Sequence, residues 1–219
     1  MASPGISGVF NRRRLPVYIV MDHSAAVSGT AIVSLNGGLQ NFRQTLGNST
    51  LASLTYLSLI AFADEVDQIP LGLAEHFMPP RFNADGACHL GEALGALRQR
   101  LDFDLIPDRP GRPGDLRPLV FVLLAGQPTD AWTARADWLL QQAQARDLNV
   151  VGVALSDGAI QPLKRCAPTV LKIESGRAIA ITGFFHWMNA LAEAALLRAA
   201  SQPGGSGITV PPPPGVMPC

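Results

Sequence analysis

An α/β fold, with a mostly parallel central sheet, one antiparallel edge strand and helices on both faces, is predicted by three features of the sequence. Short apolar runs alternate with longer segments of helical period, the pattern of a parallel sheet wrapped by crossover helices. One run, Val120-Phe121-Val122-Leu123-Leu124, is apolar at every position, as a central strand covered on both faces must be. A single pair of runs, on either side of Asp64-Glu65, lies close enough to form a hairpin, which puts one antiparallel strand on an edge.

Taken in order, residues 17–21 form a first strand that runs into Asp22. Ala31, Leu35, Leu39, Phe42 and Leu46 recur about every 3.6 residues, predicting an amphipathic helix over 29–46 that Gly47-Asn48 ends. Residues 54–62 are a second strand and 66–71 its antiparallel partner. Pro70, Pro79 and Pro80 then enforce irregular chain. Leu90, Ala93, Leu94, Leu97 and Leu101 stripe a helix that starts near Cys88, and the Pro, Gly, Asp and Arg of 102–113 predict a long polar loop. After the strand at 119–124, Thr129 or Asp130 is placed to cap a helix striped by Trp132, Ala136, Leu139, Leu140 and Ala143. Strands at 150–155 and 169–173 flank a short helix at 160–166. A last helix opens at Thr182 and carries Phe184, Trp187, Met188, Leu191 and Ala195, whose aromatic residues read as core rather than as a ligand box. Beyond Gln202 the chain turns to Gly, Ser and Pro and closes on a polyproline-type run at 211–214, read as an unstructured end with a docking peptide as the alternative. The domain spans 15–200, between tails of 1–14 and 201–219.

Of the 219 residues, 47% are hydrophobic and 16% charged, enough for one sizeable core and too few polar residues for a long second domain. Lys+Arg and Asp+Glu both number 17, so neither a nucleic acid nor an anionic membrane has an obvious electrostatic hold on the chain. Arg12-Arg13-Arg14, the one basic run, reads as a solvated start to the fold. Cys88, Cys166 and Cys219 make no disulfide framework, and the start has no basic segment leading into an apolar one. No uncharged apolar stretch reaches the ~20 residues that a bilayer span needs. The expected location is the cytoplasm, with no nucleic-acid or membrane partner.

Ligands of such sheets sit at the carboxyl ends of strands, near the point where strand order reverses. Two segments meet that description, Asp22-His23-Ser24-Ala25-Ala26 and Ala125-Gly126-Gln127-Pro128-Thr129-Asp130, and a third, Gly86-Ala87-Cys88-His89-Leu90-Gly91-Glu92-Ala93-Leu94, opens a helix between them in the chain. Their order and spacing resemble those of a von Willebrand factor type A (VWA) domain over about residues 15–197, in particular the stand-alone bacterial TerY-like group associated with tellurite resistance and with kinase and phosphatase gene clusters. The resemblance implies a Rossmann-like fold and a metal-ion-dependent adhesion site, built from Asp-x-Ser-x-Ser on one loop, a Thr on a second and an Asp on a third. Asp22 and Ser24 keep their places in that pattern. Ala26, Cys88 and Ala125 stand where the remaining ligands belong.

Magnesium asks for near-octahedral oxygen donors at ~2.0–2.1 Å and sheds water reluctantly, so one carboxylate and one hydroxyl make a poor cage. A degenerate site without a resident cofactor is the expectation, with Asp22 and Ser24 persisting as a turn-stabilising pair and Asp22 accepting backbone N–H groups of 24–26. One alternative keeps a weak Mg²⁺ site, in which Asp85 or Asp130 joins Asp22 and Ser24 and a partner completes the shell. A second places zinc on His23, Cys88 and His89, whose imidazole and thiolate groups suit that metal, although no Cys-x-x-Cys or His-x-x-x-His spacing supports it.

Enzyme signatures are missing: no Gly-x-Ser-x-Gly elbow, no Gly-x-x-x-x-Gly-Lys, no Gly-x-Gly-x-x-Gly after the first strand and no His-Glu-x-x-His. Cys88 with a His base is the one nucleophile that can be drawn, and a Cys at the start of a helix over a parallel sheet is more often a buried small residue. The expected role is therefore a non-enzymatic interaction module, or adaptor. Its partner-binding rim would comprise His23, His89 and Gln127, with 78–82 and 102–113. The resemblance implies a Ser/Thr kinase, a phosphatase or a component of a stress-response or secretion assembly as partner.

Overall fold

The computed structural model describes residues 13–47, 52–145, 147–174, 178–201 and 210–219. Among the described residues, seven strands form one sheet: β1 (Leu15–Asp22), β2 (Thr55–Phe62), β3 (Val66–Leu73), β4 (Leu119–Leu124), β5 (Asn149–Ala154), β6 (Thr169–Ile173) and β7 (Val216–Pro218), in the order β3-β2-β1-β4-β5-β6-β7. The five inner strands are parallel, while β3 and β7 run antiparallel on the two edges. The helices are α1 (Thr30–Gly47), α2 (Leu90–Asp104), α3 (Thr133–Gln144), α4 (Ile160–Cys166) and α5 (Ala178–Ser201). Among the described residues, no helix is long and apolar enough to cross a membrane.

Residues of β1 alternate between two apolar layers. Leu15, Val17, Ile19 and Met21 pack with α1 and α5, and Tyr18 and Val20 pack with α2, α3 and α4. Both faces are covered, which is why the inner strands read as continuous apolar runs. Gly38 of α1 lets that helix press against the Phe185 ring of α5, a closeness no side chain at 38 would permit. The aromatic residues of α5 are core: Phe184 and Trp187 meet Phe121 edge-on at 6.2 and 6.3 Å. In register, Met21 lies level with Ala61 on β2 and with Leu123 on β4, so the loops after β1 and β4 leave the sheet at one height.

Five expectations change. The tail is not wholly outside the fold, because residues 216–218 add β7 to the β6 edge, making a second antiparallel edge strand. Asp130 does not cap α3; its two carboxylate oxygens accept the N–H groups of Gly91 and Glu92 at 3.0 and 2.9 Å and cap α2 instead. The polar loop begins later than Asp102, since α2 continues to Asp104, and α5 begins at Ala178, ahead of Thr182. Arg13 and Arg14 are not merely solvated. Arg14 grips Asp115 with two bonds of 2.7 Å, and Arg13 bonds the carbonyls of Gly114 and Asp115 at 2.8 and 2.6 Å. Arg12, Asn48 and the Gly/Ser-rich stretch from 202 to 209 lie outside the described residues.

Candidate functional site

Asp22 ends β1 with its side chain fully buried. A carboxylate taken out of water must find donors, and this one finds them from two strand ends. Its Oδ1 accepts the Ser24 N–H at 2.8 Å, and its Oδ2 accepts the N–H groups of Ala125 and Gly126, both at 2.9 Å. The Cys88 thiol stands 3.8 Å from the same Oδ2. Of the donors expected from 24–26 only Ser24 serves. The other two come from the loop after β4, which sequence reasoning missed.

The positions singled out in the three segments converge. A Cβ on Gly126 would lie 3.1 Å from the Cys88 Cβ and 3.3 Å from both the Ala26 Cβ and the Ser24 Oγ. Glycine at 126 is thus what allows the third loop to close on the other two. Ser24 is 2% exposed, and its hydroxyl has no hydrogen-bond partner among the described residues. Ala125 is buried and its methyl belongs to the α1/α5 layer of the core. Cys88 is buried, and its thiol is pushed well above the ordinary range, first by burial and then by the neighbouring Asp22 carboxylate.

Backbone bonds fix the loops to one another. Ala25 N–H donates to the Gly86 carbonyl at 3.1 Å and Asp85 N–H to the His23 carbonyl at 3.1 Å. Asp64, in the β2–β3 turn, accepts the Ala87 N–H at 2.8 Å beneath Gly86, whose positive φ of 77° suits glycine alone. The Gln127 side chain donates to the Gly158 carbonyl at 2.5 Å, and the Ser156 hydroxyl to the Ala125 carbonyl at 2.6 Å. The third loop is in this way tied to the turn after β5.

The two histidines are held apart from the centre by separate carbonyls. His23 Nδ1 pairs with the Asn83 carbonyl at 3.1 Å and its ring lies 5.0 Å from that of Phe82; His89 Nδ1 pairs with the Asp64 carbonyl at 3.0 Å. Among the described residues no three His, Cys, Asp or Glu side chains converge, so the set of His23, Cys88 and His89 does not assemble. Nor do Asp85 and Asp130 turn toward Asp22. Asp85 accepts the Gly86 N–H at 2.8 Å and Asp130 is occupied by α2.

No protein-family model matches the chain, and neither does any curated protein. Solved structures do. Proximal thread matrix protein 1 from the mussel byssus is similar at TM-score 0.56 and 15% identity, over 80% of this chain and 47% of that one. The pilus adhesin SpaC from Lactobacillus rhamnosus GG is similar at TM-score 0.61 and 14% identity, over 84% and 30%. The ArnB paralog VWA2 from Sulfolobus acidocaldarius is similar at TM-score 0.54 and 11% identity, over 79% and 44%. The chain spans less than half the length of each. Its fold is the VWA fold.

Proposed function

We propose that this chain is a non-enzymatic protein-interaction module of VWA type, whose adhesion site is degenerate and whose partner binds without a bridging metal ion. One observation carries the reading: the Asp22 carboxylate already accepts three backbone N–H groups. A cation at this point would find that occupied carboxylate, the Ser24 hydroxyl, the methyl groups of Ala26 and Ala125, and a thiol held protonated. Such a donor set does not fit magnesium, which takes hard oxygens in an octahedron. Backbone bonds also support the reading, because a rim fixed by them needs no ion to hold its shape.

The contact surface is the rim itself: His23, His89 and Gln127, with the exposed Met78, Pro80 and Arg81 of 78–82; the expected 102–113 segment is not part of it, because Asp104 and Asp108 bond Arg14 and Arg13 at the other end of β1. On the TerY-like resemblance, the module is a cytoplasmic adaptor for a Ser/Thr kinase, a phosphatase or a stress-response component, a step by analogy of fold. The three free cysteines, two of them buried, are compatible with a reducing compartment. Affinity capture from the native host, with and without EDTA and at low and high salt, tests the reading. Capture that persists in EDTA and weakens in salt supports it; capture abolished by EDTA overturns it.

A further inference from the structure

Residues 210–219 lie along α5 and the sheet edge as a bound peptide would, with β4, β5 and β6 between their strand and β1. Four contacts define the seat. The Trp187 indole N–H donates to the Val210 carbonyl at 3.0 Å. Pro213 rests 3.7 Å from where a Cβ on Gly183 would be, and Gly215, at φ 82°, lies so close to the Ala180 Cβ that a Cβ of its own would come to 3.1 Å. Val216 is 4% exposed and joins the core. Ala180, Gly183 and Trp187 are spaced i, i+3 and i+7, so they line one face of α5. The segment meets them in reverse order and then pairs antiparallel with β6, Ile173 opposite Val216 and Leu171 opposite Pro218. Glu174 N–H to the Gly215 carbonyl at 3.0 Å and Cys219 N–H to the Val170 carbonyl at 2.9 Å close the two ends.

These are the elements of two familiar modes of peptide recognition: an indole donor that takes a carbonyl beside a proline run, and a strand added to a sheet edge. The anchorage is slight, for the strand is three residues long and Val216 is its one buried side chain. We propose that the groove between α5 and β6 is a docking site for a proline-rich extended segment of another protein, carrying the pattern Pro-Pro-Gly-aliphatic-x-Pro, and that residues 210–219 fill it in cis until such a segment displaces them. The pattern is read from the occupant. Proline presets the extended backbone, glycine is required against Ala180, and the aliphatic residue fills the core position. A tethered segment competes at an effective concentration of roughly millimolar, so a partner segment gains access in proportion to how often the cis segment leaves. This assignment is independent of the metal-free rim.

The test uses the full chain and a fluorescent peptide of residues 210–218. Val216→Asp puts a carboxylate at a buried position and should release the cis segment. The variant is expected to bind the peptide at least tenfold more tightly than the unaltered chain does, and a peptide with leucine in place of its glycine should lose at least tenfold. Equal binding by both proteins, or no binding by a variant that keeps the native thermal transition, overturns the proposal. Hydrogen exchange on the unaltered chain gives a second measurement that needs no variant. The amides of Glu174 and Cys219 should exchange at least tenfold faster than those of Ile19 and Val122, and equal rates would mean the segment leaves only on global unfolding, which overturns it as well. Dimers of the unaltered chain at the peptide-binding concentrations would identify a second copy as the occupant and overturn the assignment to another protein.

Discussion

The carboxylate of Asp22 accepts the backbone N–H of Gly126 at 2.9 Å across 104 residues of chain. The anion that opens the first loop is thus neutralised by the peptide dipoles of the third. With Ala125 and Ser24 adding their own N–H groups, the bonds are charge-assisted and buried, the class that contributes most to stability.

Replacing Asp22 therefore strikes at stability. Asp22→Ala leaves three N–H groups in a buried pocket without acceptors, and the loss is expected at about 2–4 kcal/mol. Urea unfolding followed by far-UV circular dichroism measures it. A loss below ~0.5 kcal/mol would mean that water replaces the carboxylate at no cost.

If the rim is metal-free as proposed, restoring the donors of the adhesion-site pattern should create a magnesium site. The triple variant Ala26→Ser, Cys88→Thr, Ala125→Asp is expected to bind Mg²⁺ in a calorimeter and to rise in melting temperature with it. The unaltered chain should show neither response. Magnesium heat from the unaltered protein would favour the weak-site alternative instead.

Alkali should weaken the fold. The Cys88 and Cys166 thiols are both raised by burial, Cys166 to about 12, and stay protonated in the native state. In the unfolded chain a thiol ionises near ~8.5, so above that pH the unfolded state binds fewer protons than the native one and stability falls. The contribution is whole below that pH and is lost as pH climbs toward the folded value, at about 1 kcal/mol per unit for each thiol. Tyr18, raised mainly by burial and then by Asp104, adds to the decline above its ordinary pKa. Urea midpoints at pH 7.5, 9 and 10 check the slope, which should shrink in a variant carrying Cys88→Ser and Cys166→Ser. Iodoacetamide at pH 8 should label the exposed Cys219 and spare the other two.

Adjacent glycines of α1 offer a matched pair. Nothing lies near a Cβ at Gly37, whereas one at Gly38 would run into Phe185. Gly37→Ala is expected to stabilise by up to about 1 kcal/mol through helix propensity, and Gly38→Ala to cost about 1–3 kcal/mol through overpacking. Thermal denaturation of the two variants separates the signs. Two shifts in the same direction would mean that α5 yields to the added methyl.

Uncapping α2 from a distance is the last test. Asp130→Ala removes both acceptors at that helix's first turn and is expected to cost about 1–2 kcal/mol. Amide exchange should quicken at Gly91 and Glu92 and not at the start of α3.

Much of this architecture was legible because burial is written into periodicity. β4, α4 and β6 fall where their apolar spacing predicts them, and the β2–β3 hairpin follows from Asp64-Glu65. What stayed hidden depends on partners distant in the chain. Asp130 reads as a cap for the helix just after it, and nothing local says that α2, some forty positions earlier, lies within reach. β7 was illegible for a related reason: three residues among prolines have no period, and only the waiting edge of β6 makes them a strand. At the head of β1 the residue types announce which side chains meet but not which peptide groups answer Asp22. Gly126 was the available signal, since a glycine just past a buried strand marks a close approach of backbone.

Below β1, at the opposite end from Asp22, Arg14 forks onto Asp115 and also bonds the Asp104 carbonyl at 3.0 Å, with its guanidinium 4.9 Å from the Tyr56 ring. The Asp115 side chain is only 5% exposed. A recombinant fragment cut at Leu15, where the first strand begins, would strand that anion without its counter-charge and forfeit cooperative melting that a fragment beginning at Arg13 retains. The start of a stable fragment is thus set by an arginine one residue ahead of the sheet.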